Sequence, residues 1–241
     1  MAHFEKLREG APGSRDATRC CMTQHTPSQD VPDDTAPAFG AEALHEWTGH
    51  VASVLRGMTH ALNNRAAALS AVVELSREDD GDSAELSSIL STELNRVRNL
   101  AHIARVIGIA RGASEAFSPR DAANEAMAVL ELHASHRDHP AVIGQTTETP
   151  VRVPKWMFVR SLIALAASAS EHCDAGARIE IVEDGDSIVT RAQGVNRECA
   201  NVSPYAAELA RAMGGQPLSE GAEGCGFRIP TLAAIRRREV R

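Results

Sequence analysis

Two polar side chains, His60 and Asn64, lie one helical turn apart within a helical pattern of apolar residues. That pattern alternates three- and four-residue steps except at Arg65, and it comprises Val51, Leu55, Met58, Leu62, Leu69 and Val72. His60 follows Met58 by two residues, so its imidazole is predicted to face water, with Asn64 above it on the same helix face. An exposed imidazole beside a carboxamide can accept a phosphoryl group and pass it on. The alternative is an ordinary surface histidine.

Other candidate residues surround this pair. Asn63 and Arg65 are predicted to contact a bound phosphoryl group, although Arg65 fits equally well as an arginine that extends along the edge of a helical bundle. A second cluster recurs every three residues on one predicted helix and could in principle hold a metal ion, but no fourth ligand is evident: His133, His136 and His139. His45 and His50, near the start of the first helix, are expected to be solvated.

Composition restricts the function classes. The chain has 241 residues and a formal net charge of −7, which argues against nucleic-acid binding. The five cysteines, including the pair Cys20–Cys21, show no C-x-x-C spacing, so they predict neither a disulfide framework nor a zinc site. No apolar run approaches the roughly 20 residues needed to span a bilayer. A cytoplasmic protein with no membrane partner is therefore expected.

The first half of the chain predicts a helical hairpin. Residues 1–40 are rich in Pro, Asp, Thr, Ser and Gly and are expected to form a disordered or loosely ordered arm. Two helices, from 41 to 77 and from 83 to about 110, are joined by a short acidic turn and form a hairpin over 41–112. A single hairpin exposes its apolar seam, so two chains are expected to pair into a dimeric four-helix bundle.

The second half, 113–232, predicts an α+β sandwich with a sheet under a helical layer. Ser118 and Pro119 begin a helix that ends before Pro140, a strand follows Pro140, and Pro154 begins the helix 155–172. Further expected elements are a hairpin of strands 178–182 and 187–190, a helix from Pro204, and a final hairpin over 216–219 and 226–230. Residues 233–241 are expected to form a solvated basic tail.

This arrangement, with the His60 turn, resembles two-component histidine kinases over about residues 41–232. Their dimerisation helix carries a phosphoacceptor histidine, an acidic residue, two variable positions and then Asn or Thr. His60 and Asn64 match the first and last of these positions, but the acidic position is Ala61. The resemblance implies that a group needed for autophosphorylation is missing.

The nucleotide-binding signatures of that family are missing too. Ala164 and Ser168 stand where the family has asparagines, the last of which holds magnesium. The expected Asp-x-Gly-x-Gly should follow Thr190, but residues 191–196 contain no aspartate, and few residues remain before Ser203 for a nucleotide lid. The chain thus resembles a kinase-derived dimeric histidine phosphotransferase of the ChpT type, with a degenerate ATPase-like domain.

The resemblance implies a role in a bacterial phosphorelay. His60 would carry a phosphoryl group between the aspartates of response-regulator receiver domains, and Asn64 would orient that group or a water molecule. Asn63 and Arg65 would contact the receiver, magnesium would come from the receiver, and the chain itself would need no cofactor. Two alternatives stay open: a non-catalytic pseudokinase dimer that sequesters regulators, and a divergent ATP-dependent histidine kinase.

Overall fold

The computed structural model describes residues 37–78, 83–108, 110–172, 177–193, 203–218 and 225–239. The pair Cys20–Cys21, most of the predicted arm, the acidic turn at 79–82 and the segment 194–202 lie outside the described residues. Within the described parts the chain is α+β: an N-terminal helical hairpin followed by a sheet covered by helices.

The hairpin consists of α1 (Ala41–Glu78) and α2 (Ser83–Gly108). Where the two helices face each other or the rest of the chain, each buries apolar side chains: Ala43, Val54, Met58 and Val72 on α1, and Leu100, Ile103 and Ile107 on α2. None of the described helices is long and apolar enough to cross a membrane.

A five-stranded sheet forms the base of the second half, in the order β2-β4-β5-β7-β6. The strands are β2 (Val142–Thr146), β4 (Arg178–Asp184), β5 (Ser187–Gln193), β6 (Gln216–Leu218) and β7 (Cys225–Pro230). β2 pairs with β4 in parallel, and every other neighbouring pair in this sheet is antiparallel. The β4–β5 turn contains Gly185 at a φ of 59°, a conformation that favours glycine. This agrees with the predicted hairpin.

Helices α3 (Pro119–Leu130), α5 (Lys155–Glu171) and α6 (Pro204–Ala212) form the layer over the sheet. α3 and α6 begin where predicted. Ser118 and Ser203 are their N-cap residues, and the hydroxyl oxygens accept backbone N–H groups of the first turns. α5 is the central helix and buries most of its length, including Phe158, Leu162 and Ile163. Its apolar side chains join the core that the sheet and the hairpin base share.

Three described elements were not predicted: β1 (Glu115–Phe117), β3 (Val151–Val153) and α7 (Leu232–Glu239). β1 and β3 pair with each other in a separate two-stranded sheet. Residues 233–239, expected to belong to a solvated basic tail, lie in α7. Residues 232–239 form a helix whose Ala234 is buried, while the side chains of Arg236, Arg237 and Arg238 remain exposed.

The prediction of a single helix that ends just before Pro140 was wrong, because two helices, α3 and α4 (Ala134–Asp138), take its place. α3 ends at Leu130, and α4 begins only at Ala134. His133 is the N-cap residue of α4 and His139 its C-cap residue, so the three histidines of this segment do not share one helix face. No group of His, Cys, Asp and Glu in the described parts of the chain could hold a metal ion.

Candidate functional site

His60 and Asn64 both lie exposed on the outer surface of α1. Asn64 Nδ2 is 3.4 Å from His60 Nε2, so the carboxamide N–H can donate to the unprotonated ring nitrogen. Leu62 follows His60 by two residues, which places it about 160° away around the helix at roughly 100° per residue. The imidazole therefore points away from the apolar stripe that contains Leu62 and is open to a partner.

The segment between α3 and α4 packs against the face of α1 that carries His60, at residues that precede His60 in the helix. Ser53, Gly57, His60 and Asn64 follow each other at steps of four, three and four residues, and so form one stripe along α1. The hydroxyl oxygen of Ser53 accepts the backbone N–H of Ala134 at 3.0 Å. A Cβ on Gly57 would lie 2.0 Å from the carbonyl oxygen of Leu132, so only glycine permits this close approach. The stripe is covered as far as Gly57 and is exposed from His60 onward.

Arg65 connects the two helices of the hairpin. Its Nη1 lies 3.3 Å from a carboxylate oxygen of Glu93 on α2, and Arg96 pairs with the same carboxylate. Burial raises the pKa of Glu93, but hydrogen bonds from Arg96 and Arg65 outweigh it and hold that pKa below its ordinary value. Arg65 is thus held by α2 on the face of α1 that meets α2, and it is about a third exposed. Asn63 is exposed one turn after His60. Contact of either residue with a partner stays a prediction.

The expectation that His50 is solvated was wrong, because the residue is buried, with only 5% of its surface exposed. Its Nδ1 is 3.2 Å from Nε2 of His133, which is 2% exposed, so one ring must donate to the other. On its other side, His50 Nε2 lies 3.5 Å from Glu46. Burial lowers the pKa of His133 to about 4, with the charges of His50 and His136 acting in the same direction. These rings attach α1 to the α3–α4 segment, ten residues before His60.

A buried arginine attaches the hairpin base to the sandwich. Arg160 of α5 donates from Nη2 to the carbonyl oxygen of Ile107, near the end of α2, at 2.6 Å. Its guanidinium also lies 4.9 Å from the ring centroid of Trp47 and 5.1 Å from that of Trp156. Trp47 stacks on Tyr205 of α6 at 4.8 Å. Both hairpin helices are therefore packed against the helical layer.

The two positions that correspond to asparagines of the resembled family both lie in α5. Ala164 is fully buried within α5, and Ser168 is half-buried, with its carbonyl oxygen 2.8 Å from His172 Nδ1. α1 packs against α5 and α6, where Trp47 meets Arg160 and Tyr205.

Sequence reasoning located the His60–Asn64 pair but missed the groups that position it. Gly57, one turn before His60, could have been noticed as a helix-interior glycine that suggests close backbone contact. Arg160 could have been noticed as a charge inside an otherwise apolar helix. Nothing in the local pattern marks His133 as a partner of His50, which is 83 residues away in the chain.

Among the solved structures that are similar to this chain, three are of histidine kinases. The chain is 15% identical to Acinetobacter baumannii histidine kinase AdeS, with a TM-score of 0.41 over 72% of this chain and 98% of that one. The chain is 13% identical to a histidine kinase from Burkholderia phymatum STM815, with a TM-score of 0.39 over 78% of this chain and 98% of that one. It is 16% identical to the catalytic domain of histidine kinase ThkA, with a TM-score of 0.38 over 49% of this chain and 97% of that one.

All three TM-scores lie below 0.5. No protein-family model matches the sequence, and no curated protein matches it.

Proposed function

We propose that this protein is a histidine phosphotransferase that passes a phosphoryl group between receiver-domain aspartates through His60, without using ATP. The observation that carries the proposal is the exposed His60 imidazole with the Asn64 carboxamide 3.4 Å from its Nε2. In the absence of a phosphoryl group, the Asn64 N–H can donate to Nε2. Once Nε2 is phosphorylated, the same carboxamide lies beside the phosphoryl oxygens and can donate to one of them.

Each transfer is a displacement at phosphorus. A ring nitrogen of neutral His60 attacks the phosphorus of an aspartyl phosphate, so an N–P bond forms and the P–O bond to the aspartate breaks. The aspartate leaves as a carboxylate. A carboxylate of a second receiver then attacks phosphorus, the N–P bond breaks, and the imidazole is restored. Magnesium would be held by the acidic pocket of the receiver, and Asn63 and Arg65 would contact that partner.

Assembly as a homodimer is supported by the apolar side chains that the single chain leaves exposed on the hairpin. Leu55 and Leu62 on α1 are 48% and 43% exposed, and Leu90 and Leu94 on α2 are 37% and 50% exposed. Val51 and Leu69 continue the α1 stripe as half-buried residues. Burying what remains exposed of these side chains against a second hairpin would stabilise a four-helix bundle by about 1 kcal/mol for each leucine, because half or more of each side chain is already covered. His60 would stay on the outside of that bundle.

Loss of kinase activity is supported by the replaced acidic residue, Ala61, and by the packing around α5. Ala164 offers neither an amide oxygen for magnesium nor access to solvent. The surface of α5 and α6 that contacts Trp47 is already occupied by α1. We therefore expect that calorimetric titration with millimolar ATP and magnesium gives no binding heat. Micromolar affinity would contradict this and favour an ATP-dependent kinase.

The decisive experiment labels the protein with radioactive phosphate from purified, phosphorylated receiver domains of the source organism. The wild-type chain should acquire acid-labile label, and His60→Ala should acquire none, because no other exposed imidazole has a carboxamide within hydrogen-bonding distance among the described residues. Asn64→Ala should still bind the receiver but transfer phosphate more slowly. His102→Ala, an exposed histidine on α2, is the matched control and should label normally.

Two results would contradict the proposal. Histidine labelling that persists in His60→Ala would move the site to another histidine. A His60→Ala protein that binds receivers and sustains signalling as well as the wild type does would instead support the sequestering dimer.

A further inference from the structure

A cavity of about 270 Å³ lies under the linker between the hairpin and the sandwich, away from His60. Its walls come from the last turn of α2, the linker at 111–113, and the first turns of α5. Val106, Trp156 and Val159 supply apolar surface, and Arg105 and Arg111 supply positive charge. Neither Ala164 nor Ser168 lines it, so it is distinct from the positions where the resembled family binds nucleotide.

The charges around this cavity do not balance. Lys155 and Glu125 pair with each other at 2.5 Å and neutralise each other locally. Arg105 and Arg111, both exposed, have no carboxylate partner among the described residues, and Glu115 is the one remaining acidic residue of the lining. A surplus of positive charge at a cavity is notable on a chain with a net charge of −7.

The apolar wall has a planar component. Trp156 is half-buried, and the Arg160 guanidinium lies over its ring at 5.1 Å. Gly112 faces the same ring: its φ is 156°, and a Cβ there would lie 3.5 Å from Trp156 Cδ1. Gly112 and Trp156 both line the cavity, so the indole forms part of its apolar surface.

We propose that this cavity binds a small aromatic anion, such as an aromatic carboxylate or phosphate ester. The ring of the ligand would pack against Trp156, and its anionic group would accept hydrogen bonds from Arg105 and Arg111. The ligand is small, because the cavity is below the roughly 300–1,000 Å³ of sites for drug-sized molecules. Since the walls come from both α2 and α5, bound ligand would connect the hairpin to the sandwich.

The test uses the indole N–H signals of the full-length protein in NMR spectra. The chain has two tryptophans, Trp47 and Trp156, and Trp156→Phe assigns the signals. Phenyl phosphate and benzoate should each shift the Trp156 signal in a saturable manner in the millimolar range and leave the Trp47 signal in place. Benzyl alcohol, which lacks the charge, and inorganic phosphate, which lacks the ring, should each bind at least about tenfold more weakly.

Arg105→Gln combined with Arg111→Gln should weaken phenyl phosphate binding by about tenfold or more. Both positions are exposed, so the variant should fold. Arg98→Gln is the matched control, because Arg98 is an exposed arginine two turns earlier on α2 and does not line the cavity. The proposal is overturned if no saturable shift of the Trp156 signal occurs, if benzyl alcohol binds as well as phenyl phosphate, or if the double variant binds as tightly as the control.

Discussion

His133 should make the stability of the fold depend on pH between about 6.5 and 4. Its pKa is lowered from 6.5 to about 4 in the folded protein, chiefly by burial. In the unfolded chain the imidazole takes up a proton below its ordinary pKa, whereas the folded protein resists protonation until the pH reaches the lowered value. The stabilising difference is therefore fully present above about pH 6.5 and is lost as the pH falls toward 4.

The size of the effect follows from the shift. A lowering from 6.5 to about 4, at about 1.4 kcal/mol per pKa unit, corresponds to a loss of about 3 kcal/mol of unfolding free energy across this pH range. The neighbouring His136 contributes in the same direction, because burial also lowers its pKa.

The assay is urea unfolding followed by circular dichroism at a fixed protein concentration, at several pH values from 7.5 to about 4.5, over which the loss should develop. His133→Gln retains a donor toward His50 but cannot titrate. Between pH 6.5 and about 4, the unfolding free energy of this variant should therefore fall by about 3 kcal/mol less than that of the wild type. His45→Gln, at an exposed position of α1, is the control and should follow the wild type. Parallel pH profiles for wild type and His133→Gln would refute the reasoning.

Three further perturbations test the packing around the site. Leu55→Asp with Leu62→Asp should abolish the dimer in sedimentation while the sandwich stays folded, because both side chains are exposed in the single chain; a wild-type chain that sediments as a compact monomer would contradict the bundle. Arg160→Met should lower the unfolding free energy by about 3 kcal/mol, since it removes a buried hydrogen bond and two cation–π contacts; unchanged urea unfolding would contradict this. Gly57→Ala should destabilise by about 1–3 kcal/mol, because the new Cβ would overlap the carbonyl oxygen of Leu132; the exposed Gly49→Ala, with no atom near the new Cβ, should not.

The elements whose signals are local were predicted from sequence. α1, α2 and α5 match their expected bounds within about two residues, because an apolar repeat of three and four residues specifies a helix without reference to the rest of the chain. The Ser-Pro starts of α3 and α6 and the Asp-Gly turn between β4 and β5 were found for the same reason. The strands β1 and β3 were missed, since three-residue segments carry too little periodicity to be recognised.

The same distinction applies to the site. The sequence alone determined that His60 and Asn64 share a helix face, since a spacing of four residues permits nothing else on an α-helix. Only the tertiary structure decided which part of that face is covered, and it placed the α3–α4 segment against Gly57 and left His60 open. It also decided that His50 is buried against His133, because burial depends on which distant segment packs on a helix and not on the helix's own pattern.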